Sequence, residues 1–139
     1  MHPKFAPFVR AIMLSVCLLF AANAVQAQSS KTIKPKMAVA DADFVAQLLN
    51  TIDISGSEVD AFLEVRGVFM KILETAVKDK KLMSDQVTVE MTIPQAQNFV
   101  TLIQRAKLKG EGAVKFKELV TMVVDAAKAE IGEAAGKLK

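Results

Sequence analysis

The stretch SEVDAFLEVRGVFMKILETAVKDK, residues 57–80, reads as one long helix with an apolar arc too wide for an ordinary surface helix. At about 100° per residue, Val59, Phe62, Leu63, Phe69, Met70, Leu73 and Val77 share one side. Ala61, Val65, Val68, Ile72 and Ala76 widen that side past half the circumference, leaving Asp60, Glu64, Lys71, Glu74, Thr75 and Lys78 for water. Each uncovered Leu, Val or Phe forgoes roughly 1.5 to 3 kcal/mol of burial. The helix is therefore expected at the centre of the molecule, covered on two sides. Gly67 inside it costs about 0.5 to 1 kcal/mol relative to Ala, so either another backbone approaches there or the cost is tolerated.

Arg66 breaks the arc near its middle. A guanidinium is not buried without carboxylates or carbonyls for its donors. Its stem can pack while its head reaches solvent or one acid; alternatively, it is an anion-binding or partner-binding charge set in an apolar groove.

Upstream, Ser55 and Glu58 have capping-box spacing and Ile54 can staple onto Val59, which marks the start of the long helix. Before it, Asp41 is placed to cap a shorter helix running to about Asn50, with Phe44, Val45, Leu48, Leu49 and Ile52 along one face. Residues 28–40 read as a flexible arm or, because Ile33, Pro35, Met37 and Val39 alternate with polar or small residues, as an edge strand.

Downstream the period changes. Val87, Val89, Met91 and Ile93 alternate with Thr88, Glu90 and Thr92, which predicts a strand over 86–93. A lone strand leaves half its backbone groups unpaired, so the arm, another copy of the chain or a client segment must supply the pairing. Thr92 and Gln95 repeat the capping box, and Pro94 suits a first turn, so a third helix follows with Ala96, Phe99, Val100, Ile103 and Ala106 inward. Arg105, Lys107 and Lys109 crowd its end before Gly110, where cations suit the helix dipole; a phosphate or anionic-lipid contact is the alternative. A last helix is expected over 113–131, with Phe116, Leu119, Val120, Val123, Ala127 and Ile131 inward and 132–139 frayed. The fold class is mainly α: a small single-domain bundle of about four helices, residues 41–131, around the long helix, with one short strand or hairpin.

In spacing, residues 94–123 resemble the helix, twelve-residue loop and helix of an EF-hand, with Gly112 sixth and Glu118 twelfth. Lys107 and Lys109 stand where oxygen donors are needed, and ammonium groups there repel calcium. No metal is inferred.

Residues 1–27 read as a secretory signal peptide: Lys4 and Arg10, an apolar run over 11–22 too short for a membrane span, and Val25-Gln26-Ala27 before the cleavage site. A lipoprotein reading through Cys17 is disfavoured by the bulky Val16 before it. Export to a periplasm or outside the cell is expected, with no membrane span remaining. The signal takes Lys4 and Arg10 from the 18 basic residues and nothing from the 15 acidic ones, so the basic isoelectric point of about 9.0 belongs largely to the discarded segment. Nucleic-acid binding loses its electrostatic footprint.

Cys17 and His2 leave with the signal and are the chain's only cysteine and histidine. The remainder has no imidazole base, no thiolate and no soft metal ligand, and Gly110 and Gly112 follow a helix instead of opening a phosphate loop. The expectation is a non-catalytic protein without cofactor that acts by contact: an adaptor, a chaperone-like factor or an envelope-assembly subunit, with a protein partner or a second copy. Arg66, Val87, Val89 and Met91 are the candidate binding residues. The competing expectation is a carrier of an apolar ligand or lipid, with Phe62, Phe69, Phe99, Phe116, Met70, Met91 and Met122 lining a cavity.

Overall fold

Where the sequence alternates with a period of two, the backbone is extended, and the two alternating segments pair with each other. In the computed structural model, which describes residues 31–136, β1 (Thr32–Ile33) is antiparallel to β4 (Met91–Thr92) and β2 (Lys36–Ala38) to β3 (Gln86–Thr88). One register runs through both ladders. Ile93 N–H donates to Lys31 O at 3.0 Å, Val89 N–H to Pro35 O at 2.9 Å and Val39 N–H to Asp85 O at 2.9 Å. The ribbon is interrupted at Pro35, which has no N–H to return to Val89. Ile33, Met37, Val89 and Met91 are 0–2% exposed on its inner face, while Lys34, Lys36, Thr88 and Glu90 face water. The segment leading into the first helix is thus the partner of the 86–93 strand, which is not left for another chain on that edge.

The helices are α1 (Val39–Leu49), α2 (Val59–Lys78), α3 (Ile93–Ile103) and α4 (Glu111–Gly136), with a 3₁₀ turn over Gly56–Glu58 leading into α2. This is a small, mainly α domain, as its periodicity predicts. Asp41 does not cap α1. The helix begins two residues earlier because the ribbon supplies backbone acceptors for its first donors: Asp85 O for Val39 N–H and Met83 O for Ala40 N–H, both at 2.9 Å. Asp41 lies instead in the first turn and pairs with Lys115 of α4 at 2.7 Å. The Thr92–Gln95 capping box is present, with Thr92 N–H donating to Gln95 Oε1 at 3.0 Å and Gln95 N–H to Thr92 Oγ1 at 3.3 Å. Because α4 starts at Glu111, Gly112 and Glu118 are helical and the EF-hand spacing has no loop behind it. Helix α4 also continues past the point where fraying is expected, through Gly132 to Gly136. The readings of 1–27, of the first three residues of the 28–40 arm and of 137–139 lie outside the described residues.

Helix α2 packs against both α1 and α3, yet only Val65, Phe69 and Ala76 of its apolar arc are fully buried. Val59, Leu63 and Val77 are 38%, 54% and 78% exposed, so its cover is incomplete. The tightest packing lies where α1, α3 and the ribbon meet it, with Phe69 and Phe99 in contact at 5.5 Å between ring centroids. Leu119 and Val123, one turn apart on α4, bring the last helix into the same core. Among the described residues no helix is long and apolar enough to cross a membrane.

Arg105 does not sit on the last turn of α3, which ends two residues before it. Its guanidinium reaches across to the start of α2, donating both to Glu58, with Nη1 at 2.7 Å, and to Asp53 O at 3.4 Å. The Ser55 amide and hydroxyl donate to the same Glu58 carboxylate at 2.9 and 2.8 Å. The Arg105 hydrogen bonds, followed by those from Ser55, lower the Glu58 pKa from 4.5 to about 2. A carboxylate so held stabilises the fold fully above its unfolded pKa, and loses that contribution as pH falls from about 4.5 through about 2. Glu58→Gln should therefore lower the urea midpoint at neutral pH and flatten its dependence between those pH values. An unchanged acid limb would show that the clamp is not formed in solution.

The buried arm gives a second expectation. Ile33→Ala, at a fully enclosed site, should cost about 2 to 5 kcal/mol in urea unfolding. A loss below about 1 kcal/mol would mean that the arm is not part of the core.

Candidate functional site

The free side of the ribbon, and not its inner face, is where the molecule offers unpaired backbone. Antiparallel ladders alternate, and residues that exchange bonds with one neighbour leave those between them pointing the other way. Asp85, Val89 and Ile93 bond to the arm, so Gln86, Thr88 and Glu90 turn their N–H and C=O groups away from it. Beside this edge lies a groove of about 630 Å³. One wall is α2, through Gly67, Val68, Lys71, Ile72, Thr75 and Ala76, and the other is Gln86, Val87, Thr88 and Glu90. Lys81 and Gln95 complete the lining.

Local sequence explains each part. Helix α2 ends in a Schellman arrangement, with Lys80 N–H donating to Val77 O at 3.1 Å and Lys81 N–H to Ala76 O at 2.9 Å. Lys80 takes the left-handed conformation, φ 53°, that glycine usually fills. This turn places Lys81 Nζ 3.3 Å from Gln86 O, one of the outward carbonyls. Glu90 is held from outside the groove by Lys34, at 3.1 Å across the ribbon. Lys71 and Lys81 are thus cations of the groove without an acidic partner among the described residues, while Val68, Ile72, Ala76 and Val87 supply apolar surface. Gly67 is not explained by close approach, since a Cβ there would meet nothing within 4 Å; it leaves that part of the wall low.

The candidate binding residues are separated by the fold. Val87 lines the groove. Val89 and Met91 do not reach it: they are 0% and 2% exposed, and their side chains belong to the core. Period-two alternation marks which residues share a face but not which face is buried, and the arm decides that here. Arg66 lies outside the groove lining, half-buried, with Nε donating to Asn50 Oδ1 at 3.3 Å. Sequence reasoning misses Lys71, Lys81, Thr75 and Thr88, because an isolated Lys or Thr on a polar face carries no signal until a strand edge and a helix are set side by side.

Of the Phe and Met residues expected to wall a cavity, Phe69, Phe99 and Met91 are buried, Phe62, Phe116 and Met122 pack against the core, Met70 is half-buried outside it, and none of these lines the groove. Among the described residues no group of three or more His, Cys, Asp or Glu is placed to hold a metal ion. Set against known protein families, curated proteins and solved structures, the chain finds no match.

Proposed function

We propose that the chain is an exported, non-catalytic binding protein that holds an extended segment of a protein partner along the free strand edge at Thr88–Glu90. The observation that carries this reading is the outward row of backbone groups facing a groove with an apolar floor. An added strand takes affinity from main-chain hydrogen bonds and specificity from the pockets its alternate side chains enter. At about 630 Å³ the groove is within the usual range for binding sites, roughly 300 to 1,000 Å³. Its chemistry selects an occupant: apolar side chains against Val68, Ile72 and Val87, and a carboxylate near Lys71 and Lys81. The signal-like segment 1–27 and the lack of His and Cys beyond it support export and a role in contact over chemistry.

A displayed random-peptide library panned on the purified protein tests the proposal. Enriched peptides should be extended, alternate apolar residues and carry Asp, Glu or a terminal carboxylate. Thr88→Pro removes one outward N–H while leaving the ladder with the arm intact, because that amide faces away from it. It should weaken those peptides by about five- to tenfold, the equivalent of one hydrogen bond, and Lys71→Glu should weaken the acidic ones further. Substituting Val114, exposed and remote from the groove lining, should change nothing. Peptides that bind Thr88→Pro as well as the parent protein would sink the strand-edge reading.

A further inference from the structure

A second surface of α2 remains, distinct from the groove. Val59, Leu63, Arg66, Met70, Leu73 and Val77 follow one another at alternating spacings of four and three, the a/d pattern of a coiled-coil seam. The fold leaves this seam open: Val59, Leu63 and Val77 are exposed, and Arg66, Met70 and Leu73 are half-buried at its inner margin.

The spacing is self-complementary. On two antiparallel copies related by a two-fold axis, Val59 opposes Val77, Leu63 opposes Leu73, and Arg66 opposes Met70, each contact occurring twice as an isologous interface requires. Gly67 flanks the seam beside that axis, with open space where a side chain would stand, so nothing there holds a second helix off. The charges agree. Arg66 is tethered to Asn50 only through Nε, and its two terminal nitrogens make no hydrogen bond among the described residues. Glu74, exposed, forms no ion pair among the described residues. It lies one helical turn from Met70, so on the second copy it comes within reach of Arg66.

We infer that the occupant of this seam is a second copy of the chain, docked antiparallel through α2, with Arg66 of each copy paired to Glu74 of the other. A charged residue in an otherwise apolar seam fixes register and orientation at some cost in affinity. One helix of 20 residues, about 30 Å long, presents less than the roughly 800 Å² per partner of a tight complex. The dimer is accordingly a weak, reversible one.

Sedimentation equilibrium of the purified protein from low micromolar to near-millimolar concentration tests this. The expected result is a monomer–dimer equilibrium that Leu63→Glu and Val77→Glu each weaken at least about tenfold, with thermal unfolding of the dilute protein unchanged because both sites are exposed. Arg66→Glu and Glu74→Arg should each weaken it similarly, and the double exchange Arg66→Glu/Glu74→Arg should restore it to within a few-fold. A protein that stays monomeric throughout overturns the inference. So does a dimer indifferent to Leu63→Glu, or a charge exchange that does not rescue. Peptide binding at the strand edge is read separately, so failure of either proposal leaves the other standing.

Discussion

The pairing of the 31–39 segment with 85–93 is the contact on which the rest of the structure depends. It joins parts of the chain distant in sequence, and it settles three matters together. It encloses Ile33 and Met37 beside Val89 and Met91, and so completes one side of the core. It hands the first donors of α1 to Asp85 and Met83, which lets a helix start without a side-chain cap. And by engaging one edge of the 86–93 strand, it leaves the other edge to face α2. Loop-closure entropy opposes such a long-range pairing, and the burial of four fully enclosed side chains, at roughly 1.5 to 3 kcal/mol each, is of the size needed to offset it.

A two-residue turn would have closed this ribbon as a hairpin. Here α1 and α2 are inserted between its strands, so the helices must return the chain to the correct register. The Glu58–Arg105 clamp is suited to that task because it ties the entry of α2 to the segment after α3, elements distant in sequence, at a fixed point. Charge-assisted and multiply bonded, it is stronger than an isolated surface pair. Its acid sensitivity follows from the same bonds that make it firm.

Much of this is legible in the residues. The long helix, the capping boxes at Ser55 and Thr92 and the period-two run at 86–93 each rest on local chemistry, and local chemistry is what sequence carries. What is not legible is tertiary. Asp41 has the form of a cap, and only the ribbon's carbonyls make a cap unnecessary. Val89 and Met91 have the pattern of a half-buried strand, and nothing within 86–93 says that the arm turns them inward. The groove is harder still: Thr75 and Lys71 on a helix, and Thr88 on a strand, line one space only when the two elements lie side by side. Arg66 is conspicuous in the sequence alone because a charge on an apolar arc violates a local rule.

The width of the α2 arc, which in sequence suggests a helix covered on two sides by other elements, has another physical origin. At about 100° per residue, Val65, Phe69 and Ala76 point to the core, Val68, Ile72 and Thr75 to the groove, and Leu63, Arg66, Met70, Leu73 and Val77 along the open seam. These sectors adjoin, with Ile72 about 20° from Val65 and Ala76 shared between core and groove, so their apolar residues add up to more than half the circumference without any face being unusually greasy. A helix buried on all sides would show no charge in its arc and no exposed Val or Leu at its margins; α2 has both. The arc is wide because one rod presents three different faces, of which the folded chain itself covers one.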